Sequence, residues 1–464
     1  MNFIRYVGSN ACNSPHYRDC LNSEDYFVVD RLSAHANASV DFDIDGRPLG
    51  LKTSGTVQDF LDLAILVYLA DEMVSRSESQ DHWTRSMNCV VPVVAPDVWA
   101  RCQAALERSL SLLSGDDWTF EWIPRVASVP FRNHRRRLPY GFDAVCLFSG
   151  GADSLLGAIR LLEEGKRLIL VGHQAEGQSA RAQTDLAADL RRLYPGRFHF
   201  VQSRISRSRR TATEFPLADK QEISHRPRSF LFLALAVAVA RECGISDIFM
   251  PENGFMTLNI PIQKSRTGSL STRTTHPAFV LQFLDLCRSL GLNVSVRNPF
   301  LTQSKTDMLR GLSPALASVM KRSVSCSRPG RYNDRHVRHC GYCVPCILRR
   351  IALMEAGLDS SSDYAFDVFG NLGTMDSAKQ QDMRALARFA MELANADPAR
   401  LELRVLSHGY FPPDVGLMIG MDPTSDYAPW TNMLRGWATD FLAKLADTPT
   451  RTRQVVGLPG GGAA

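Results

Sequence analysis

Ala144-Val145-Cys146-Leu147-Phe148-Ser149-Gly150-Gly151-Ala152-Asp153-Ser154-Leu155-Leu156-Gly157 is an apolar run that stops at Ser-Gly-Gly and restarts with apolar residues at helical spacing. That pattern reads as strand, loop and helix. Two adjacent glycines let the backbone approach an anion, and the N–H groups that open the following helix carry partial positive charge. Phosphate is the natural guest, with Ser149 and Ser154 as hydroxyl donors. Asp153 would repel a bare phosphate, so it makes best sense as a ligand for a magnesium ion (Mg2+) travelling with a nucleotide. The plain alternative is a serine-capped glycine turn of an α/β protein. The loop is neither a Walker A, since no Gly-Lys-Ser/Thr follows, nor the Gly-x-Gly-x-x-Gly of dinucleotide folds.

Downstream the pattern alternates: helix Leu155 to Glu164, strand Arg167 to Gly172, helix Ala182 to Tyr194, strand Arg197 to Val201. Alternation of this kind predicts an α/β fold built on a doubly wound parallel sheet. Ligands of such sheets sit beyond the carboxyl ends of the strands. The loops at Gly150, at 172–178 and at 202–210 should therefore face one crevice. The last carries Arg204, Arg207, Arg209 and Arg210, which can neutralise a triphosphate, an anionic substrate or an RNA backbone. Without interleaved aromatics it lacks the stacking surface of a single-strand binder, and a solvated loop explains it equally well.

Next come an all-round apolar helix at Phe230 to Cys243, a strand at Asp247 to Met250 and a loop opened by Pro251-Glu252-Asn253-Gly254. A polar segment, a helix from Pro277 to Leu290 and a strand at Asn293 to Arg297 follow. Ser304-Lys305-Thr306-Asp307 then caps a further helix, with Lys305 either solvated or touching phosphate.

Residues 1 to about 140 read as an N-terminal α/β domain, with helices at Val57 to Val74 and Val98 to Leu113 and strands at Val90 to Ala95 and Trp118 to Ile123. A basic stretch, Arg132 to Pro139, links it to a central domain over 141–358. Residues 359–464 read as a C-terminal helical extension, with helices at Ser377 to Ala396 and Asn432 to Ala446, an aromatic-containing loop from His408 to Trp430 and a flexible Gly-Gly-Gly-Ala-Ala tail. This extension is expected to pack on the core and meet a partner.

The 464 residues, 45% hydrophobic and 22% charged, have an ordinary globular composition that excludes disordered and collagen-like classes. A formal charge of +5 permits an anionic ligand without arguing for a nucleic-acid wrapper. The N-terminus lacks a signal-peptide core, and the longest apolar run, Phe230 to Ala240, is too short to span a bilayer. A cytoplasmic protein with no membrane partner is expected. Of eleven cysteines, seven are scattered, which suits buried thiols in a reducing compartment. The other four, Cys326, Cys340, Cys343 and Cys346, include a Cys-x-x-Cys-x-x-Cys run. Four thiolates close a tetrahedral zinc (Zn2+) site, and this spacing suits zinc better than an iron–sulfur cluster. His336 and His339 lie close enough to stand in for a ligand. With no open coordination position the metal would be structural.

Read together, the glycine loop and the cysteine cluster resemble the 7-cyano-7-deazaguanine synthase (QueC) family of PP-loop ATP pyrophosphatases, over roughly residues 144 to 355. Ser149 to Ser154 resemble its Ser-Gly-Gly-x-Asp-Ser, Gly177-Gln178 its Gly-Gln and Arg228 the arginine before its long apolar helix. Ser304-Lys305 resemble its Ser/Thr-Lys, and Ser325-Cys326 with Cys340 to Arg349 its cysteine motif. The resemblance implies ATP held by Ser149, Gly150, Gly151, Asp153 and Ser154, catalytic roles for Asp153 and Lys305, and zinc on the four cysteines. It also implies a deazaguanine-type small-molecule substrate met by Gln178, Arg228, Glu252 and Asn253. In that family ATP adenylates 7-carboxy-7-deazaguanine, ammonia displaces AMP, and a second adenylation turns the amide into a nitrile. Here the family's aspartate-rich substrate stretch is absent, and Asn253 to Asn259 occupy its place. The long flanks resemble instead the QueC-like proteins of anti-phage defence operons, the QatC type in particular, which implies an operon partner protein as a possible amine acceptor. The competing reading is a non-catalytic scaffold that binds protein or RNA through the cysteine knuckle and Arg204 to Arg210. A tRNA-thiolating enzyme would need a reactive cysteine by the nucleotide, and neither Cys146 nor Cys243 is well placed.

Overall fold

A computed structural model describes residues 2–7, 26–30, 38–125, 136–174, 178–207, 222, 225–260, 262, 273–328, 339–408 and 427–458. Gly177, Arg209, Arg210, His336, residues 132–135 of the linker, most of the 408–430 loop and the glycine tail lie outside the described residues.

The strands are β1 (Asn2–Val7), β2 (Tyr26–Asp30), β3 (Ala38–Ile44), β4 (Arg47–Pro48), β5 (Ser86–Val93), β6 (Asp117–Pro124), β7 (Ala144–Leu147), β8 (Leu168–His173), β9 (Phe198–Arg207), β10 (Asp247–Phe249) and β11 (Ser295–Arg297). The helices that matter below are α1 (Gly55–Met73), α2 (Pro96–Ser114), α3 (Ala152–Glu163), α4 (Gln178–Leu193), α5 (Arg228–Cys243), α6 (Pro277–Ser289), α7 (Lys305–Leu309), α8 (Val344–Glu355), α9 (Ser377–Asn395), α10 (Pro398–His408) and α11 (Ala428–Ala446).

The central sheet runs β11-β10-β7-β8-β9-β3-β4. Its first five strands pair in parallel, which gives the doubly wound α/β architecture that the alternating sequence predicts. Strand order reverses at β7: the chain moves out through β8 and β9, then returns to the other side of β7 for β10 and β11. Such a switch point opens a crevice between the loops that leave the two central strands. Here those loops are the glycine loop after β7 and Pro251-Glu252-Asn253 after β10.

Two sequence expectations are corrected. Residues 202–207, expected as a loop, continue β9, because β3 pairs with them antiparallel from Ala38↔Arg207 to Ile44↔Val201. And residues 1–140 are not a region wholly of their own, since β3 and β4 cap the edge of the central sheet. The remaining strands of that region form a separate parallel sheet in the order β2-β1-β5-β6. Helix α1 is buried on nearly every face because it lies between this sheet and α5. Phe60 of α1 meets Phe230 of α5 and Phe283 of α6, each ring pair 5.6 Å apart.

At the other end, α9 and α11 pack together and reach the turn Gly254–Thr257, where Phe255 lies 4.4 Å from the Trp437 ring. The loop that carries Glu252 and Asn253 is thus backed by the C-terminal helices. It also touches α3 directly: a Cβ on Gly157 would lie 2.2 Å from the Cβ of Pro251. Gly157→Ala must therefore push helix and loop apart. Overpacking of this kind costs about 2 kcal/mol, and urea unfolding of the variant should show a loss of that order.

Candidate functional site

Gly150 takes a left-handed φ of 80°, which turns the chain off β7 and into α3. The two serines of the loop close on each other. The Ser149 N–H donates to Ser154 Oγ at 3.2 Å, the two hydroxyls are 3.1 Å apart, and Ser154 Oγ donates to the Gly151 carbonyl. A strand-like segment from far along the chain lies against the same loop. The Val324 N–H donates to the Gly150 carbonyl at 2.9 Å, and Ser325 Oγ accepts from the Ala152 N–H at 3.1 Å.

Asp153, in the first turn of α3, faces a buried lysine. Lys305 opens α7, whose start is fixed by a reciprocal capping box between Ser304 and Asp307. Its Nζ donates to Asp153 Oδ2 at 2.7 Å, with the lysine side chain only 4% exposed. From β10's loop, Asn253 Nδ2 donates to Asp153 Oδ1 at 3.2 Å and to Glu252 Oε1 at 3.1 Å. Burial, and then the Asp153 charge beside it, lift the Glu252 carboxyl well above the usual carboxylate range. Asn298 ties this loop down from β11: its Nδ2 donates to the Glu252 carbonyl and its Oδ1 accepts from the Glu252 N–H. Two acids, one lysine and one amide thus converge at the switch point. A divalent cation fits such a set, with the carboxylates as oxygen ligands and the lysine free to turn to phosphate.

Next to the glycine loop is a cavity of about 470 Å³, the size of a small-molecule site. Ser149, Ser154, His173, Arg228, Phe232 and Glu252 contribute to its wall. Arg228 stacks on Phe232 at 4.9 Å, and its buried Nε has no hydrogen-bond partner among the described residues. Burial holds its guanidinium below the usual arginine value, so an anion in the cavity would relieve it. The His173 imidazole is pushed down to about 3 by burial and then by Arg228, and it stays neutral. Its Nδ1 meets Ser203 Oγ at 3.3 Å.

Of the residues singled out from sequence, the structure brings Ser149, Gly150, Gly151, Asp153, Ser154, Arg228, Glu252, Asn253 and Lys305 to this crevice and cavity. Gln178 is the first residue of α4, and its side chain lies outside what is described. Ser325, Asn298 and His173 join them without a prior signal beyond their place after a strand or beside Cys326.

Cys326, Cys340, Cys343 and Cys346 are buried with all four sulfurs within 4.8 Å of one another. Tetrahedral Zn–S bonds of about 2.3 Å put sulfurs about 3.8 Å apart, and Cys340 and Cys346 are separated by 3.9 Å. The Arg328 and Cys340 N–H groups point at Cys326 Sγ, and the Cys343 N–H at Cys340 Sγ, each at 3.4 Å. The set fits a zinc ion. His339 is turned away from it, its Nε2 at 3.5 Å from the Ser325 N–H.

Residues 143–357 match the family model described as "Queuosine biosynthesis protein QueC". Among curated relatives, the 7-cyano-7-deazaguanine synthase of Novosphingobium aromaticivorans is 28% identical over 235 residues, covering 48% of this chain and 94% of the relative. That of Syntrophobacter fumaroxidans is 27% identical over 260 residues, 51% of this chain and 99% of the relative. That of Methanothrix thermoacetophila is 25% identical over 239 residues, 48% and 98% respectively. The central part of the chain is QueC-like. Among the described residues no helix is long and apolar enough to cross a membrane.

Proposed function

We propose that this chain is an ATP-dependent enzyme of the 7-cyano-7-deazaguanine synthase kind, which adenylates a 7-carboxy-7-deazaguanine-type carboxylate and passes it to an amine. The observation that carries this reading is the meeting of Asp153, Lys305, Glu252 and Asn253 beside the glycine loop, at the edge of a cavity that holds Arg228. The QueC-like central region and its relatives support the same chemistry.

Ser149, Gly150, Gly151 and Ser154 receive the triphosphate, and Asp153 would hold the magnesium ion that neutralises it. The substrate carboxylate oxygen attacks the α-phosphorus, the bond to the β-phosphate bridge breaks, and pyrophosphate leaves with the electron pair. The amine nitrogen then attacks the acyl carbon, AMP departs, and the amine gives up a proton. Lys305 is placed to take charge from the phosphates as pyrophosphate forms, which is where electrostatic stabilisation matters most. Arg228 and the Glu252-Asn253 loop orient the carboxylate, with Gln178 at the mouth of α4. The cysteine site, with zinc bound, is structural.

The acceptor is ammonia or an amine of a partner protein. The long flanks on both sides of the QueC-like region favour the partner protein, and with it a role in anti-phage defence of the QatC type in the cytoplasm. Incubation with ATP, Mg2+ and the carboxylate should release AMP and pyrophosphate. Mass analysis should then find either free amide or a mass added to a protein encoded beside this one. If neither AMP forms nor ATP binds, the enzymatic reading is lost and a scaffold role takes its place.

A further inference from the structure

The family match begins at residue 143, yet helix α1, well before that point, packs against side chains that line the cavity. Tyr68 packs edge-on against His173 at 5.3 Å and lies parallel to His225 at 6.2 Å and 16°. Glu72, one turn on, stands 3.6 Å from His225 Nδ1. The Tyr68 hydroxyl is raised above its usual value by burial and by Glu72 at its side. His173, His225 and Arg228 all line the cavity.

The segment that delivers His225 and Arg228 is strapped to the N-terminal region. The Glu222 N–H donates to the Glu72 carbonyl at 3.2 Å, and Glu222 Oε2 accepts from the Arg76 N–H at 3.0 Å. Arg226 donates to the Ser114 carbonyl at 2.8 Å and stacks on Trp83 at 4.3 Å. His225 itself sits at φ 46°, a left-handed turn that a non-glycine residue keeps only when its surroundings hold it.

We propose that α1 is the outer wall of the ligand cavity, with Glu72 and Tyr68 as positioning residues that hold His225 and Arg228 for a planar, anionic ligand. Glu72 stands beside His225, and its charge acts through space on the Arg228 guanidinium. The stacked Tyr68–His225 pair and the Arg228–Phe232 pair make flat faces suited to a heteroaromatic carboxylate. This rests on the substrate class given above, and the test separates the two.

Two full-length variants serve, Glu72→Gln and Tyr68→Phe, both of which keep the packing volume. In calorimetry with 7-carboxy-7-deazaguanine as the probe, Glu72→Gln should weaken binding about tenfold and Tyr68→Phe by less, while ATP affinity stays within about twofold of the parent. Equal losses for both ligands, or none for the carboxylate, would overturn the proposal. A second arm needs no substrate: phenylglyoxal labelling of Arg228, read by peptide mass spectrometry, should change rate at least about fivefold in Glu72→Gln, with Arg204 as the internal standard. An unchanged rate overturns the positioning role. A parent protein that binds ATP but not the carboxylate overturns the substrate assignment instead, and the labelling arm then decides this proposal alone.

Discussion

Lys305→Met is expected to cut AMP release by about a thousandfold, the upper range for removing one electrostatic donor from a transition state. Methionine keeps the length of the side chain and removes its charge, so what is lost is the cation that faces Asp153 at 2.7 Å. The same substitution should also destabilise the fold by about 3 kcal/mol, because breaking a buried pair strands a charge that has left water. Here that penalty falls on Asp153 with Glu252 close by, two acids in a space that has one lysine. A loss of activity alone would not show which effect is at work. The double variant Lys305→Met with Asp153→Asn isolates the stability effect. It removes both members of the pair, so most of the stability should return, but AMP release should not. Recovery of activity along with stability would mean that Lys305 serves the fold and not the chemistry.

The residues of that triad were legible in sequence to different degrees, for a physical reason. Asp153 sits five residues from the end of an apolar run and two before an apolar helix stripe, so local pattern alone places it at a helix N-terminus. Lys305 is legible as a first-turn residue because Ser304 and Asp307 form the capping box that their spacing announces. That these two meet is not local information. It follows from β10 lying beside β7, a strand order that no periodicity encodes. The part Asn298 plays was not legible for the same reason, and neither was the contact of Ser325 with the glycine loop, since both act through hydrogen bonds to segments far away in sequence.

Strand β3 makes the opposite case. Ala38, Val40, Phe42 and Ile44 are buried and alternate with Ser39, Asp41 and Asp43, a period-two pattern that was present to be read. What the pattern cannot say is which edge it joins. Pairing with β9 carries residues 202–207 into a strand despite the serines and arginines there, because backbone hydrogen bonds to β3 outweigh weak strand propensity. The all-round burial of α1 was legible from its composition, whereas its service to the cavity depends on Tyr68 and Glu72, two of several polar positions in that helix, which pattern alone does not single out.

Loss of the metal should reach the nucleotide, and Cys343→Ser, or treatment with a strong chelator, is expected to weaken ATP binding by tenfold or more, roughly the scale of supporting-shell effects. The path is short. Cys326 follows Val324 and Ser325, whose backbone N–H and hydroxyl hold the Gly150 carbonyl and the Ala152 N–H. Upstream, Arg349 of α8 grips the same segment through Ser323 Oγ at 2.6 Å and the Met320 and Lys321 carbonyls. Cys343 is the N-cap of α8, and Cys346 lies within it, so one ion on four sulfurs would lock Arg349's helix to the segment that lies on the glycine loop. With the ion gone, Arg349 still anchors residues 320–323, whereas Cys326 keeps only the weak N–H contacts to its sulfur from Arg328 and Cys340 among the described residues. The parent should contain one zinc per chain by metal analysis. Ser325→Ala provides the control: it should keep its zinc and lose part of the ATP affinity, because the loop contact is removed while the metal site is not. A chelated protein that binds ATP as tightly as the parent would show that the cysteine cluster holds α8 in place and leaves the glycine loop to fold by itself.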